Sequence, residues 1–125
     1  MPSTRITTGV WARGRERELI ELVQSALLDS LKIPDWDRDV IATALEPQQR
    51  IVPSGNSDFY TRIEIILFVG RPIEAKRALY SSIVEKLGTL GIPKKEIKTI
   101  LIEMGPDNWG IKGGFPASEV DFLTQ

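Results

Sequence analysis

The chain has 125 residues, 42% apolar and 26% charged, enough for one domain with a packed core and too few for two ordinary ones. Its 16 basic and 17 acidic residues leave a formal charge of −1, which gives no electrostatic reason to expect nucleic acid or an anionic membrane as partner. It contains no cysteine and no histidine, which excludes disulfides, thiolate catalysis and zinc–sulfur sites and removes the commonest general base. Acid–base chemistry near neutral pH must then use a perturbed carboxylate, lysine or tyrosine, or the chain's own amino terminus.

The chain opens "MPSTRIT", with proline directly behind the initiator methionine. If Met1 is removed, the Pro2 nitrogen becomes a free secondary amine. While Met1 stays attached, that nitrogen is a tertiary amide with no basic lone pair. "STRITTGVW" suits a first strand through Ile6 and its threonines. Gly14 and Arg15 then open a helix in which Leu19, Leu22, Val23, Ala26, Leu27 and Leu31 recur at three- and four-residue spacing. Lys32 complements the dipole at its end, and Pro34 stops it. "RDVIATAL" reads as a second strand, and "EPQQRIVPSGNSDF" as a connecting loop.

"YTRIEIILFVG" starts a second, similar unit, with a strand apolar enough to be covered on both faces. Gly70 and Arg71 open a second helix, with Pro72 and Glu74 in its first turn and a buried stripe of Ile73, Ala78, Leu79, Ile83, Val84 and Leu87. Gly88 or Gly91 caps it. "EIKTILIEM" is the fourth strand, and "GPDNWGIKGGFPASEVDFLTQ" is a Gly-rich loop or short hairpin. The expected organisation is a single domain over 1–125, with a repeated unit at 1–46 and 60–104 and a tail at 105–125. Gly14-Arg15 answers Gly70-Arg71, and Ile33-Pro34 answers Ile92-Pro93.

Each strand–helix–strand unit implies parallel pairing through a right-handed crossover. The expected fold class is α+β: two β-α-β units forming a four-stranded sheet with two helices on one face. Nothing in so short a chain remains to cover the other face, so oligomerisation is expected. The longest apolar run, "IILFVG", falls far short of the roughly twenty residues that span a membrane. The first twenty residues carry Arg5, Arg13, Arg15 and Arg17 and no apolar signal core, so a cytoplasmic location is expected.

"KIPDWDRD", "FVGRPIEAKRALY", "LGIPKKEI" and "NWGIKGG", together with Pro2 and the doubled unit, resemble the tautomerase superfamily. The nearest branch is the fused, malonate semialdehyde decarboxylase-like group, and the likeness runs over nearly the whole chain. The resemblance implies a homotrimeric barrel without a cofactor, the free Pro2 nitrogen as acid–base group, and Arg71 as anchor for a substrate carboxylate. It also implies that Asp37 sits beside the proline. The decarboxylase pattern carries a second arginine two residues after the first, where this chain has Ile73.

The implied activity is tautomerisation or malonate-semialdehyde-type decarboxylation of a small keto or unsaturated carboxylic acid. Hydration of an unsaturated acid, or a non-catalytic trimeric binding protein that retains Met1, are the alternatives. Apolar surroundings and nearby arginines would lower the Pro2 pKa toward a usable base, whereas Asp37 would keep the nitrogen protonated. Trp109 is a candidate pocket wall that dries the amine, with Asn108 and Phe115 nearby in the tail. Arg38 and Arg5 are candidates for a second cation.

Overall fold

The computed structural model describes residues 1–121. The first unit runs β1 (Ser3–Gly9), α1 (Glu16–Leu31) and β2 (Val40–Leu45). The second runs β3 (Thr61–Phe68), α2 (Ile73–Gly88) and β4 (Ile97–Met104). A short hairpin, β5 (Gly110–Ile111) and β6 (Phe115–Pro116), follows. β1 pairs in parallel with β2, and β3 with β4. The two units join through an antiparallel β1–β3 seam with Ile6 opposite Ile63, giving the strand order β2-β1-β3-β4. No helix among the described residues is long and apolar enough to cross a membrane.

Both helices lie on one face of the sheet, and the core forms there. Leu19, Val23 and Leu27 of α1 meet Leu79, Ile83 and Leu87 of α2 over Ile6, Ile63, Ile65 and Leu67, all 0–1% exposed. Burying each such side chain is worth roughly 1.5–3 kcal/mol before the entropic cost of ordering it. Glu16 and Glu18 sit in the first turn of α1, where the dipole favours them. Lys32 closes that helix in a left-handed conformation, and its N–H donates to the Leu28 carbonyl at 3.2 Å.

Two expectations for the second unit need correction. Ile73 is 51% exposed, and Ala78 is exposed as well. The buried seam of α2 runs through Leu79, Ile83 and Leu87. With 3.6 residues per turn, Ala78 lies roughly 140° around the helix from Ile83 at the middle of that seam, and Ile73 roughly 80° from it, at the first residue of the helix. β3 is also not covered on both faces within one chain: Thr61, Ile63, Ile65 and Leu67 are buried, whereas Arg62, Glu64, Ile66 and Phe68 alternate with them and are not. The helix-free face carries Arg5, Ile41, Ile66, Ile100 and Ile102, with Ile41 52% and Ile102 38% exposed.

The loop between the units is tied to the first. The Asp58 carboxylate accepts from the Val10 and Trp11 backbone N–H groups at 3.1 and 2.9 Å. That approach requires glycine at position 9, since a Cβ there would stand 2.2 Å from the Asp58 carbonyl oxygen. A buried hydroxyl chain spans the same region. The Trp11 indole N–H donates to Thr8, the Thr8 and Thr61 hydroxyls share a bond of 2.9 Å, and Thr61 donates to the Phe59 carbonyl.

Candidate active site

Topology gathers four segments at one end of the sheet. β1 is antiparallel to β3, so its first residue, Ser3, lies beside Ile66 near the end of β3. The chain start and the Gly70-Arg71 turn therefore meet. β2 is parallel to β1, so the loop feeding it arrives at the same end, where the Thr4 N–H donates to the Asp39 carbonyl at 2.9 Å. β4 is parallel to β3 and ends there too, leading to Trp109.

The amino group of Met1 stands 3.9 Å from Asp37 Oδ2. Pro2 behind it is buried. Asp37 is only 8% exposed and is fixed from both sides: its N–H donates to the Pro34 carbonyl at 3.1 Å, and its carbonyl accepts from Gln24 Nε2 at 2.9 Å. Asp39 accepts a 2.6 Å hydrogen bond from Ser3 Oγ, which ties the loop to the residue next to Pro2. Gly70 has φ +124°, a backbone region that side chains avoid, and the half-buried Arg71 follows it at the start of the turn into α2. Arg71 forms no salt bridge with a described residue, yet its charge acts on both the amino group and Asp37.

Burial lowers the pKa of the terminal amine. Asp37 opposes that shift and Arg71 adds to it, and the net direction is down. Burial likewise raises the Asp37 carboxyl; the amino group opposes, Asp39 pushes further up, and Arg71 opposes. Burial thus disfavours the charged form of both groups.

A pocket of about 380 Å³ opens beside the amine. Its lining combines the charged Asp37, Arg38 and Asp39 with the apolar Trp36, Trp109 and Ile111. Trp109 packs edge-on against Phe68 with ring centroids 5.0 Å apart. Its indole N–H is buried with no hydrogen-bond partner among the described residues.

Asp37 and Trp109 line the pocket at the amino group, Pro2 is the next residue along the chain, and Arg71 does not line the pocket but lies close enough for its charge to act on the amino group and Asp37. Arg38 borders the same pocket, but its guanidinium is held by Glu21 of α1. Arg5 lies off this pocket on the helix-free face, in a shallow cavity of about 190 Å³ with Ile41, Glu64 and Ile102. Gln24, Asp39 and Trp36 belong to the site although nothing in their spacing marked a role. Gln24 left one trace in the sequence, as a polar residue inside the apolar stripe of α1. Among the described residues no group of three or more carboxylates could hold a metal ion.

This is an α+β protein of paired β-α-β units whose candidate chemistry centres on its amino terminus. A family model described as tautomerase enzyme matches residues 37–112, a span that contains Asp37, Arg71 and Trp109 but not Pro2. The chain belongs to that family. It is 36% identical over 52 residues to the probable tautomerase RSp0893 of Ralstonia nicotianae, covering 41% of this chain and 74% of that protein. Among solved structures, FG41 malonate semialdehyde decarboxylase inhibited by 3-bromopropiolate is 28% identical with a TM-score of 0.78, over 90% of this chain and 89% of that one. Native fused 4-OT is 25% identical with a TM-score of 0.78, over 93% and 96%.

Proposed function

We propose that this protein is a cofactor-independent enzyme that uses the Pro2 nitrogen, freed by removal of Met1, to move protons on a small keto or unsaturated carboxylic acid. Arg71 anchors the carboxylate, Asp37 sets the protonation of the amine, and Trp109 and Arg38 border the substrate. The observation that carries this reading is the half-buried terminal amine 3.9 Å from Asp37, within the field of Arg71. Removal of Met1 moves the amine one residue along the chain, onto Pro2, which is buried while Met1 covers it.

Keto–enol tautomerisation is the activity this favours. The neutral amine takes a proton from the carbon next to the carbonyl, the electron pair moves onto oxygen, and oxygen is protonated to give the enol. The reverse sequence returns the ketone. A guanidinium gripping the carboxylate in a two-pronged bond holds that carbon against the amine. Asp37 favours a second reading, decarboxylation or hydration, because a carboxylate this close stabilises the protonated amine as an acid. Likeness to a malonate semialdehyde decarboxylase supports it, while Ile73 in place of a second arginine weighs against that substrate.

The apolar helix-free face supports a homotrimer, working in the cytoplasm, in which those faces and the C-terminal Gly-rich segment meet neighbouring copies. A chain that keeps Met1 would be a binding protein with the same fold. The test is exchange of the proton next to the carbonyl of a 2-oxo acid in heavy water, followed by proton NMR. Met1-free protein should catalyse it, and protein with Met1 on every chain should not. Equal rates for the two forms would remove the proposal.

A further inference from the structure

Helix α1 meets the loop that carries Asp37 through one buried amide. The other buried positions of that helix, Leu19, Val23, Ala26, Leu27 and Leu31, are all apolar. Gln24 lies among them, 2% exposed. Its Nε2 donates to the Asp37 carbonyl at 2.9 Å, while its Oε1 is buried with no hydrogen-bond partner among the described residues. A buried acceptor without a donor destabilises the fold, and an apolar side chain of the same length would avoid that loss. Gln24 thus breaks the pattern of its helix with only one end of its amide satisfied, and such departures belong to working sites.

What Gln24 holds is the backbone behind a charged group. The Asp37 carboxylate accepts no hydrogen bond from a described residue, and the amino group stands 3.9 Å from its Oδ2, beyond hydrogen-bond reach. Where that carboxylate points therefore depends on how its backbone is fixed. Three consecutive residues are tied down: Asp37 by Gln24 and by its own turn to Pro34, Arg38 by Glu21, three residues before Gln24 on α1, and Asp39 by Ser3 Oγ. Of these partners Gln24 alone is buried, where water competes least for the bond.

We infer that Gln24 is a positioning residue, whose side-chain amide holds the Asp37 backbone so that the carboxylate faces the chain's amino group. Its bearing on chemistry rests on the function proposed above; the placement itself is read without turnover.

The test is titration of the terminal amine by nitrogen NMR in protein that keeps Met1, the form with the 3.9 Å approach. Asp37 raises the pKa of that amine, against burial and Arg71. Gln24→Met keeps the length of the side chain but has no donor, so Asp37 loosens and the amine should titrate at lower pH, as it should in Asp37→Asn. Gln24→Asn, one methylene shorter, should move it the same way, and reads the effect if the methionine variant does not fold. In an Asp37→Asn background Gln24→Met should change nothing further, because Gln24 acts through that carboxylate. The Tm of Gln24→Met should stay within about 5 °C of wild type, since losing the unpartnered Oε1 offsets losing the bond. An unmoved titration, or an equal shift in the Asp37→Asn background, would overturn the inference. The expected shift, in a protein whose Met1-free form exchanges no protons, would leave the placement standing and remove the proposed activity. Proton exchange in the Met1-free form, with an unmoved amine in the Gln24 variants, would do the reverse.

Discussion

Asp37 and Glu96 occupy matching places in the two halves of the chain. Each follows an Ile-Pro pair by three residues, each donates its backbone N–H to that proline's carbonyl, at 3.1 and 3.0 Å, and each is buried, at 8% and 4% exposure. Their partners differ. Asp37 faces the chain's amino group. Glu96 is saturated by the Ser57 N–H at 2.7 Å, Asn56 Nδ2 at 3.0 Å and the Ser57 hydroxyl. One end of the sheet is thus left open for chemistry, and its counterpart is closed to fix the connecting loop.

Burial alone would raise the Glu96 carboxyl, but the Ser57 and Asn56 hydrogen bonds, with help from Lys95, outweigh it and hold the group below its usual value. A carboxyl depressed in the folded state contributes stability above its unfolded pKa of about 4.3, and that contribution is lost as pH falls through the folded value. Glu96→Ala should therefore cost about 1.5–3 kcal/mol at pH 7, with a smaller difference from wild type in strong acid. Urea unfolding at both pH values measures this; a pH-independent difference contradicts it.

Asp37→Asn removes the influence that raises the amine's pKa. The amine should then titrate at lower pH, and the rising limb of kcat/KM for proton exchange should move the same way. Decarboxylase or hydratase activity should fall while tautomerisation holds or rises. A profile that does not move, or parallel loss of every activity, contradicts this division of roles.

Arg71→Ala should raise KM for a 2-oxo acid about tenfold or more, the scale of one lost charged hydrogen bond. Arg71→Lys should recover little, since an ammonium lacks the two-pronged geometry. Steady-state kinetics decide it, and an unchanged KM in the alanine variant rules out the anchor.

The helix-free face should be an interface. Light scattering at micromolar concentration should give the mass of a trimer, and Ile102→Lys, which sets a charge on that face, should shift it toward smaller species. A monomeric wild type contradicts this.

The two β-α-β units and the buried stripe of α1 could be read from the sequence, because both depend on local periodicity. The antiparallel β1–β3 seam could not, because pairing between the units is set by contacts far apart in sequence. The roles given to Pro2, Asp37 and Arg71 are what the family resemblance implies, and no periodicity or spacing carries them. Ile73 and Ala78 misled because an apolar residue does not reveal which side of a helix meets the core. Gln24 and Asp39 carry ordinary polar spacing, and only the fold brings them to the start of β1. Arg38 looked free in the loop, but α1 passes close enough for Glu21 to hold it.

The central claim is that the working group is the Pro2 nitrogen. It is tested most directly by treating mass-verified, Met1-free protein with 3-bromopropiolate and mapping the adduct by tandem mass spectrometry. The account predicts one adduct per chain on the amino-terminal peptide "PSTR", loss of proton-exchange activity in proportion to labelling, and no labelling or activity in protein that retains Met1. Full activity in material carrying Met1 on every chain, or an adduct elsewhere that accounts for the inactivation, would contradict it.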